Sequence, residues 1–223
     1  MENLENSKLI QKTYYVHGED VARLSELIRL MPNYDTKSKK QIHIVDYFYE
    51  TDNKLLEELG ASIRIRVVDD KTQTLSIVYF NEGKRREFET NMNVGDKIQD
   101  KNEYILFLED KLQDVYTHKI DIDIARILKN LKVFLFITTE RTQLEIFNNT
   151  GFSGIVNFDA VLFNTKRHKV FDNVLEIKQN CVNDVANKTA FERFFKTLEQ
   201  KVQLTPMDET KFDAGKRVFR AEY

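Results

Sequence analysis

Apolar and polar positions alternate with period two through much of this chain and switch to a three-to-four spacing in a few blocks. Lys8–Val16 alternates weakly and predicts a first strand. In Glu19–Met31, Val21, Leu24, Leu27, Ile28 and Met31 keep helical spacing, with acidic residues at the start, where the helix dipole favours them. A polar loop is expected over Asn33–Lys40, then a β-branched and aromatic strand over Gln41–Tyr49. Asp52–Leu59 predicts a short helical turn closed by Gly60. Ser62–Val68, Gln73–Phe80 and Lys84–Asn91 predict an antiparallel meander, with turns at Asp69–Thr72 and Asn81–Gly83. Helical spacing returns in Tyr104–Tyr116 and Ile122–Leu131. Strands are expected at Lys132–Thr139, Gln143–Phe147, Gly154–Leu162 and Asn173–Lys178. A last helix, roughly Asn183–Gln200, sets Val185, Phe191, Phe194, Phe195 and Leu198 along one stripe. The tail holds Thr205-Pro206, then Lys211 and Gly215.

Two of these strands carry charge in an unusual way. Ser62–Val68 contains Arg64-x-Arg66, and Lys84–Asn91 contains Arg85-x-Glu87-x-Glu89. Residues two apart on a strand share a face, so each motif puts several full charges on one side of a sheet. A face turned to an apolar core does not tolerate that. These faces must meet water, each other or a charged ligand. Arginines opposite glutamates suit a polyanion with a divalent metal.

Composition narrows the classes. With 7 Gly and 2 Pro in 223 residues, the chain is poor in linker material, which predicts one domain over 1–223. A net charge of −2 argues against general nucleic-acid binding. The single Cys181 excludes a disulfide framework and points to a reducing compartment. No apolar run has the length of a membrane span and the first residues are polar, so a cytoplasmic location is expected. His17, His43, His118 and His168 lack metal-ligand spacing. Lys166-Arg167-His168-Lys169 reads as a basic loop, either solvated or drawing polyanions in, and Asp121–Asp123 as helix-cap residues.

Phe48-Tyr49-Glu50-Thr51-Asp52, then Leu55, then Gly60-Ala61-Ser62-Ile63-Arg64-Ile65-Arg66 resembles the "YFDT-x-D…L…G-x-x-L-R-I-R" signature of the CYTH and VTC domains, the triphosphate tunnel metalloenzymes. Arg85-x-Glu87-x-Glu89 resembles the family's R-x-E-x-E strand. Thr139-x-Arg141 looks like its later basic strand, with Asp159 on the next. Val174-Leu175-Glu176-Ile177-Lys178 is similar to the closing strand, and Thr210-Lys211-Phe212 with Gly215 to the terminal element. Each motif alone is weak; their order over nearly the whole chain carries the resemblance.

The resemblance implies an α+β fold: an eight-stranded antiparallel closed β-barrel with helices packed outside and a polar tunnel that binds triphosphate or polyphosphate. It implies Arg64, Arg66, Arg85, Arg141, Lys178, Lys211 and Lys12 as phosphate-binding residues. Glu87, Glu89, Asp159 and Glu176 are implied as ligands of Mg²⁺ or Mn²⁺, and Glu87, Glu89 and Glu176 as catalytic. Guanidinium forks match phosphate oxygens and stay charged at any working pH. A hard cation prefers carboxylate, phosphate and water oxygens.

The sequence also departs from the family. The opening E-x-E-x-K strand falls on Leu9–Tyr14 or, one residue over, on Lys8-x-Ile10-x-Lys12, and neither register has a glutamate. A lysine position falls on Val78, and the second acid of the closing strand on Lys178, as in the VTC branch. Three classes follow: a metal-dependent phosphohydrolase or polyphosphate polymerase, a protein of the same fold that binds without turnover, and an interaction module with a filled tunnel. Plain cross-strand ion pairs between the arginines and Glu87 and Glu89 are the structural alternative.

Overall fold

The computed structural model describes residues 11–81, 84–116, 124–149, 153–165, 168–179 and 185–220. Lys8–Ile10, Gly83, Asp121–Asp123, Lys166, Arg167, Cys181 and Asn183, which enter the expectations above, lie outside the described residues. In chain order the elements are β1 Gln11–Val16, α1 Gly18–Arg29, β2 Asp35–Glu50, α2 Leu55–Glu58, β3 Ala61–Val68, β4 Thr72–Asn81 and β5 Lys84–Met92. There follow α3 Asn102–Tyr116, α4 Ile124–Lys129, β6 Lys132–Phe147, β7 Ser153–Asn164, β8 Lys169–Gln179, α5 Val185–Lys201, β9 Thr205–Pro206 and α6 Lys211–Arg220. The hydrogen-bonded order is β5-β4-β3-β2-β6-β7-β8-β1-β9. The expected α+β architecture with eight long antiparallel strands is present, and β9 adds a two-residue ninth. The order has two ends, β5 and β9.

The chain forms two compact units. In the first (residues 1–42, 139–162 and 171–214), β1 pairs with β8 so that Thr13 lies opposite Glu176 and Gln11 opposite Lys178. Tyr14 and Val16 therefore point the other way, with Leu175 and Ile177, into a core completed by Leu24 and Ile28 of α1 and Phe191, Phe194, Phe195 and Leu198 of α5. The phenylalanine stripe of α5 is the densest part of this core; the Phe191 and Phe195 rings meet edge to face at 4.7 Å.

In the second unit (residues 43–138, 163–170 and 215–223), β2, β3, β4 and β5 form the meander that alternation predicts. Ile63, Ile65, Leu75 and Ile77 face a core shared with Leu56 of α2, Tyr104, Leu108 and Leu112 of α3, and Ile127 and Leu128 of α4. Gly60 takes φ +66° after α2, as a helix-ending glycine does. The signature residues Glu50 and Thr51 serve this helix. The Glu50 carboxylate accepts the backbone N–H groups of Leu56 and Glu57 at 2.9 Å, and Thr51 Oγ1 accepts that of Leu55. This half of the signature builds a turn and touches no other charge cluster.

Three boundaries differ from expectation. Asn33–Lys40 is not a loop throughout, because β2 begins at Asp35. Lys132–Thr139 and Gln143–Phe147 belong to one strand, β6. Its buried apolar residues change from odd positions (Leu135, Ile137) to even ones (Leu144, Ile146), and that change of phase mimics a break. The tail from Lys211 is a helix, α6, where polar composition had suggested irregular chain. Gly215 on α6 is a close-approach position: a Cβ there would lie 2.6 Å from a Leu135 methyl and 3.3 Å from the Phe163 ring.

Replacing Gly215 with Val is expected to cost about 2 kcal/mol through overpacking, which lowers the melting temperature by about 4–8 °C. Thermal denaturation followed by circular dichroism checks this; an unchanged midpoint would refute the close approach.

Candidate functional site

The polar face of the second unit follows from strand register. Arg64 pairs with Ser76, which pairs with Glu89; Ser62 pairs with Val78, which pairs with Glu87; Arg66 pairs with Asp46 on β2. Directly paired residues share a face, so the arginines and glutamates of the two charged motifs meet. Arg64 Nη2 donates to Glu87 Oε1 at 3.1 Å and Glu89 Oε1 at 3.2 Å, and its Nε donates to Ser76 Oγ at 3.1 Å. Arg66 forms a two-pronged pair with Asp46, at 2.6 and 2.8 Å. Arg85 reaches Glu87 Oε2 at 2.6 Å from a half-exposed position.

These contacts decide which alternative applies. The Arg64 and Asp46 side chains are 15% and 8% exposed, so the pairs are not solvated surface bridges. Burial, then the neighbouring Arg66, pull Arg64 below the ordinary guanidinium value, against the pull of Asp46, Glu87 and Glu89. Burial acts on Arg66 in the same sense, but its bonds and charge pairing with Asp46 outweigh it and hold the pKa up.

The first unit holds a second cluster. Asp159, whose side chain has no solvent exposure, accepts Arg141 Nε on Oδ1 and Arg141 Nη2 on Oδ2, both at 2.8 Å, and the Lys211 ammonium on Oδ2. Glu176 accepts Asn157 Nδ2 at 2.8 Å, Lys178 Nζ at 3.0 Å and Gln11 Nε2 at 2.9 Å, with Arg141 Nη2 at 3.5 Å. Burial pushes both acids toward their neutral forms. For Asp159 the Arg141 hydrogen bond and the Lys211 and Arg141 charges reverse this, and for Glu176 the Lys178 and Arg141 charges do, so both sit below their usual range.

The structure brings together Arg64, Arg66, Arg85, Glu87 and Glu89 in one unit, and Arg141, Asp159, Glu176, Lys178 and Lys211 in the other. It does not bring in Lys12. Pairing Lys12 with Ile177 turns it to the opposite face, where its ammonium lies 4.4 Å from the Phe195 ring centre. Asp46, Ser76, Asn157 and Gln11 are partners the charge motifs did not announce. Asp46 left a readable signal: it is the lone acid inside the apolar run of β2 and keeps the phase of Phe48, the residue opposite Arg64.

The carboxylates can be tested against the divalent ion that the resemblance implies. Among the described residues, no group of three or more His, Cys, Asp or Glu is placed to hold a metal. Glu87 and Glu89 fit part of such a site: hard oxygen donors two apart on β5, with side chains 28% and 51% exposed, to be completed by phosphate and water. Asp159 and Glu176 do not fit, because both oxygens of each carboxylate already accept N–H donors.

The whole chain bears on the same question. The sequence matches the CYTH domain family over residues 16–212. The chain belongs to the CYTH domain family. No curated protein sequence matches this CYTH domain at a significant level. Two solved structures resemble it in fold. One is a candidate adenylate cyclase from Bacillus halodurans, at 18% identity and a TM-score of 0.55, covering 92% of this chain and 95% of that one. The other is a candidate adenylyl cyclase from Hippeastrum with a dominant triphosphatase activity, at 15% identity and a TM-score of 0.52, covering 96% and 95%. Among the described residues of the CYTH domain, no helix is long and apolar enough to cross a membrane.

Because both acids of the first unit have depressed folded pKa values, their stabilising contribution is complete above the ordinary values of 3.8 and 4.5 and is lost as pH falls through the lower folded ones. Acid titration of the wild type should thus show stability falling below about pH 4.5. Asp159→Asn is expected to lose about 3 kcal/mol at neutral pH and to flatten that acid limb. Urea denaturation at several pH values measures both, and an unaltered acid limb would contradict the pairing.

Proposed function

We propose that this CYTH domain, taken as a single domain over the chain, is a cytoplasmic metal-dependent enzyme acting on inorganic triphosphate, polyphosphate or an organic triphosphate. The observation that carries the reading is Arg64 and Arg66, half-sheltered on one sheet face beside Glu87 and Glu89, in a chain of this family. In this reading Arg64, Arg66 and Arg85 bind phosphate oxygens, and Arg141, Lys178 and Lys211 bind them in the first unit. Glu87 and Glu89 would hold Mg²⁺ or Mn²⁺, which when bound neutralises phosphate charge and assists attack at phosphorus. The arginines are already fixed by Ser76 and Asp46, so orienting a phosphate chain demands little rearrangement from them.

A second reading has a specific observation behind it. β1 presents Gln11 and Thr13 to Glu176 where the resemblance expects acids, and this favours a protein that binds triphosphate or polyphosphate without turnover. A VTC-type polymerase reaction is the third use of the same residues, requiring a phosphate donor and an acceptor chain.

Phosphate release from tripolyphosphate, ATP and thiamine triphosphate, with Mg²⁺ or Mn²⁺, separates these readings. Release is expected on at least one substrate. Arg64→Ala with Arg66→Ala should lower kcat/KM by about 10²–10³ or more while the fold persists. Glu87→Gln with Glu89→Gln should remove metal-dependent turnover yet spare anion binding. Tight binding without release would favour the binding protein; neither binding nor release would end the proposal.

A further inference from the structure

The Asp159 carboxylate is sealed from solvent, and every bond it makes is to a cation. Arg141 takes both oxygens in a fork, and Lys211 adds to Oδ2. Glu176 is bonded on Oε1 by Asn157 and Lys178 and on Oε2 by Gln11, with Arg141 close to Oε1. A divalent cation reaching either acid must displace N–H donors and settle among Arg141, Lys178 and Lys211, three positive charges. The exposure order points the same way. The carboxylates are 0% and 11% exposed, whereas Arg141, Lys211 and Lys178 are 16%, 22% and 28% exposed. A species arriving from water meets cations first and acids behind them.

We infer that Asp159 and Glu176 are positioning residues for Arg141, Lys178 and Lys211, and that the first unit holds phosphate through these cations without a divalent metal. This rests on the reading above that the chain binds triphosphate-class anions, and it alters that reading in one respect: metal binding falls to Glu87 and Glu89 alone. Carboxylates behind a cation do for it what a second shell does for a ligand. They fix the guanidinium plane and the direction of the ammonium, so that ordering does not have to occur when phosphate arrives. Gln11 and Asn157 complete the arrangement. Neutral amides satisfy the remaining acceptor capacity of Glu176 without adding charge, leaving three cations against two acids among these groups.

The test is a pair of binding titrations that needs no turnover. Tripolyphosphate is titrated by calorimetry in EDTA, and Mn²⁺ is titrated without phosphate, with free Mn²⁺ read by electron paramagnetic resonance. Wild-type protein is expected to bind tripolyphosphate in EDTA. Asp159→Asn and Glu176→Gln should each weaken that binding about tenfold, roughly the value of one charge-assisted hydrogen bond, and leave the Mn²⁺ titration unmoved. Glu87→Gln with Glu89→Gln should do the reverse. Lys211→Ala should add little to Asp159→Asn, a non-additivity that general loosening of the fold does not produce. If Asp159→Asn fails to fold, Glu176→Gln and the wild-type titrations still decide. Binding of tripolyphosphate only when Mn²⁺ is present overturns this inference and leaves the proposed function standing. Loss of Mn²⁺ binding in Asp159→Asn or Glu176→Gln overturns it as well. No binding of tripolyphosphate under either condition overturns the proposed function first.

Discussion

A carboxylate with no access to water must be surrounded by donors, and each unit of this protein answers that demand with an arginine fork. Arg66 grips Asp46 through Nε and Nη2, and Arg141 grips Asp159 through the same two nitrogens. Both pairs lie on strands whose opposite faces are packed with isoleucine, leucine or valine. Desolvating such a pair is costly, and removing either partner leaves a stranded charge, so the pairs are better understood as constraints on geometry than as sources of stability. What they constrain is the aim of the arginines. Arg64, with no fork of its own, is held instead by Ser76, Glu87 and Glu89 at three separate points.

The charged faces were legible because a strand cannot hide its period. Arg64 with Arg66, and Glu87 with Glu89, had to share faces, and pairing through Ser76 makes those faces the same one. The first strand was ambiguous by one residue, and packing resolves it: Tyr14 and Val16 enter the phenylalanine core, which turns Gln11 and Thr13 toward Glu176 and carries Lys12 away to Phe195. No local pattern distinguishes those registers, because weak alternation in Lys8–Val16 supports either. Partner choice was less legible. Asn157 and Gln11 are neutral and short of any motif, and their role exists only once β7 and β8 bring Glu176 to them.

Motif resemblance and physical role also separate within a single signature. Glu50, Thr51 and Gly60 start and stop a four-residue helix, while Arg64 and Arg66, a few residues on, carry the charge. A helix that short has little stability of its own, and its N–H groups are answered by side chains of the preceding strand. The signature thus combines a folding instruction with a binding one.

The three-way contact of Arg141, Asp159 and Lys211 has an implication for how such a chain can vary over time. Losing Asp159 alone leaves two cations facing each other, and losing Arg141 alone leaves a sealed acid with only an ammonium. Lys211, at the start of α6, is distant in sequence from both strands, yet it is bound to their fate. Drift at these three positions should therefore be concerted, with single replacements passing only through poorly folded intermediates. Gln11 and Asn157, which contribute one neutral bond each, are the positions where the same cluster has room to change one residue at a time.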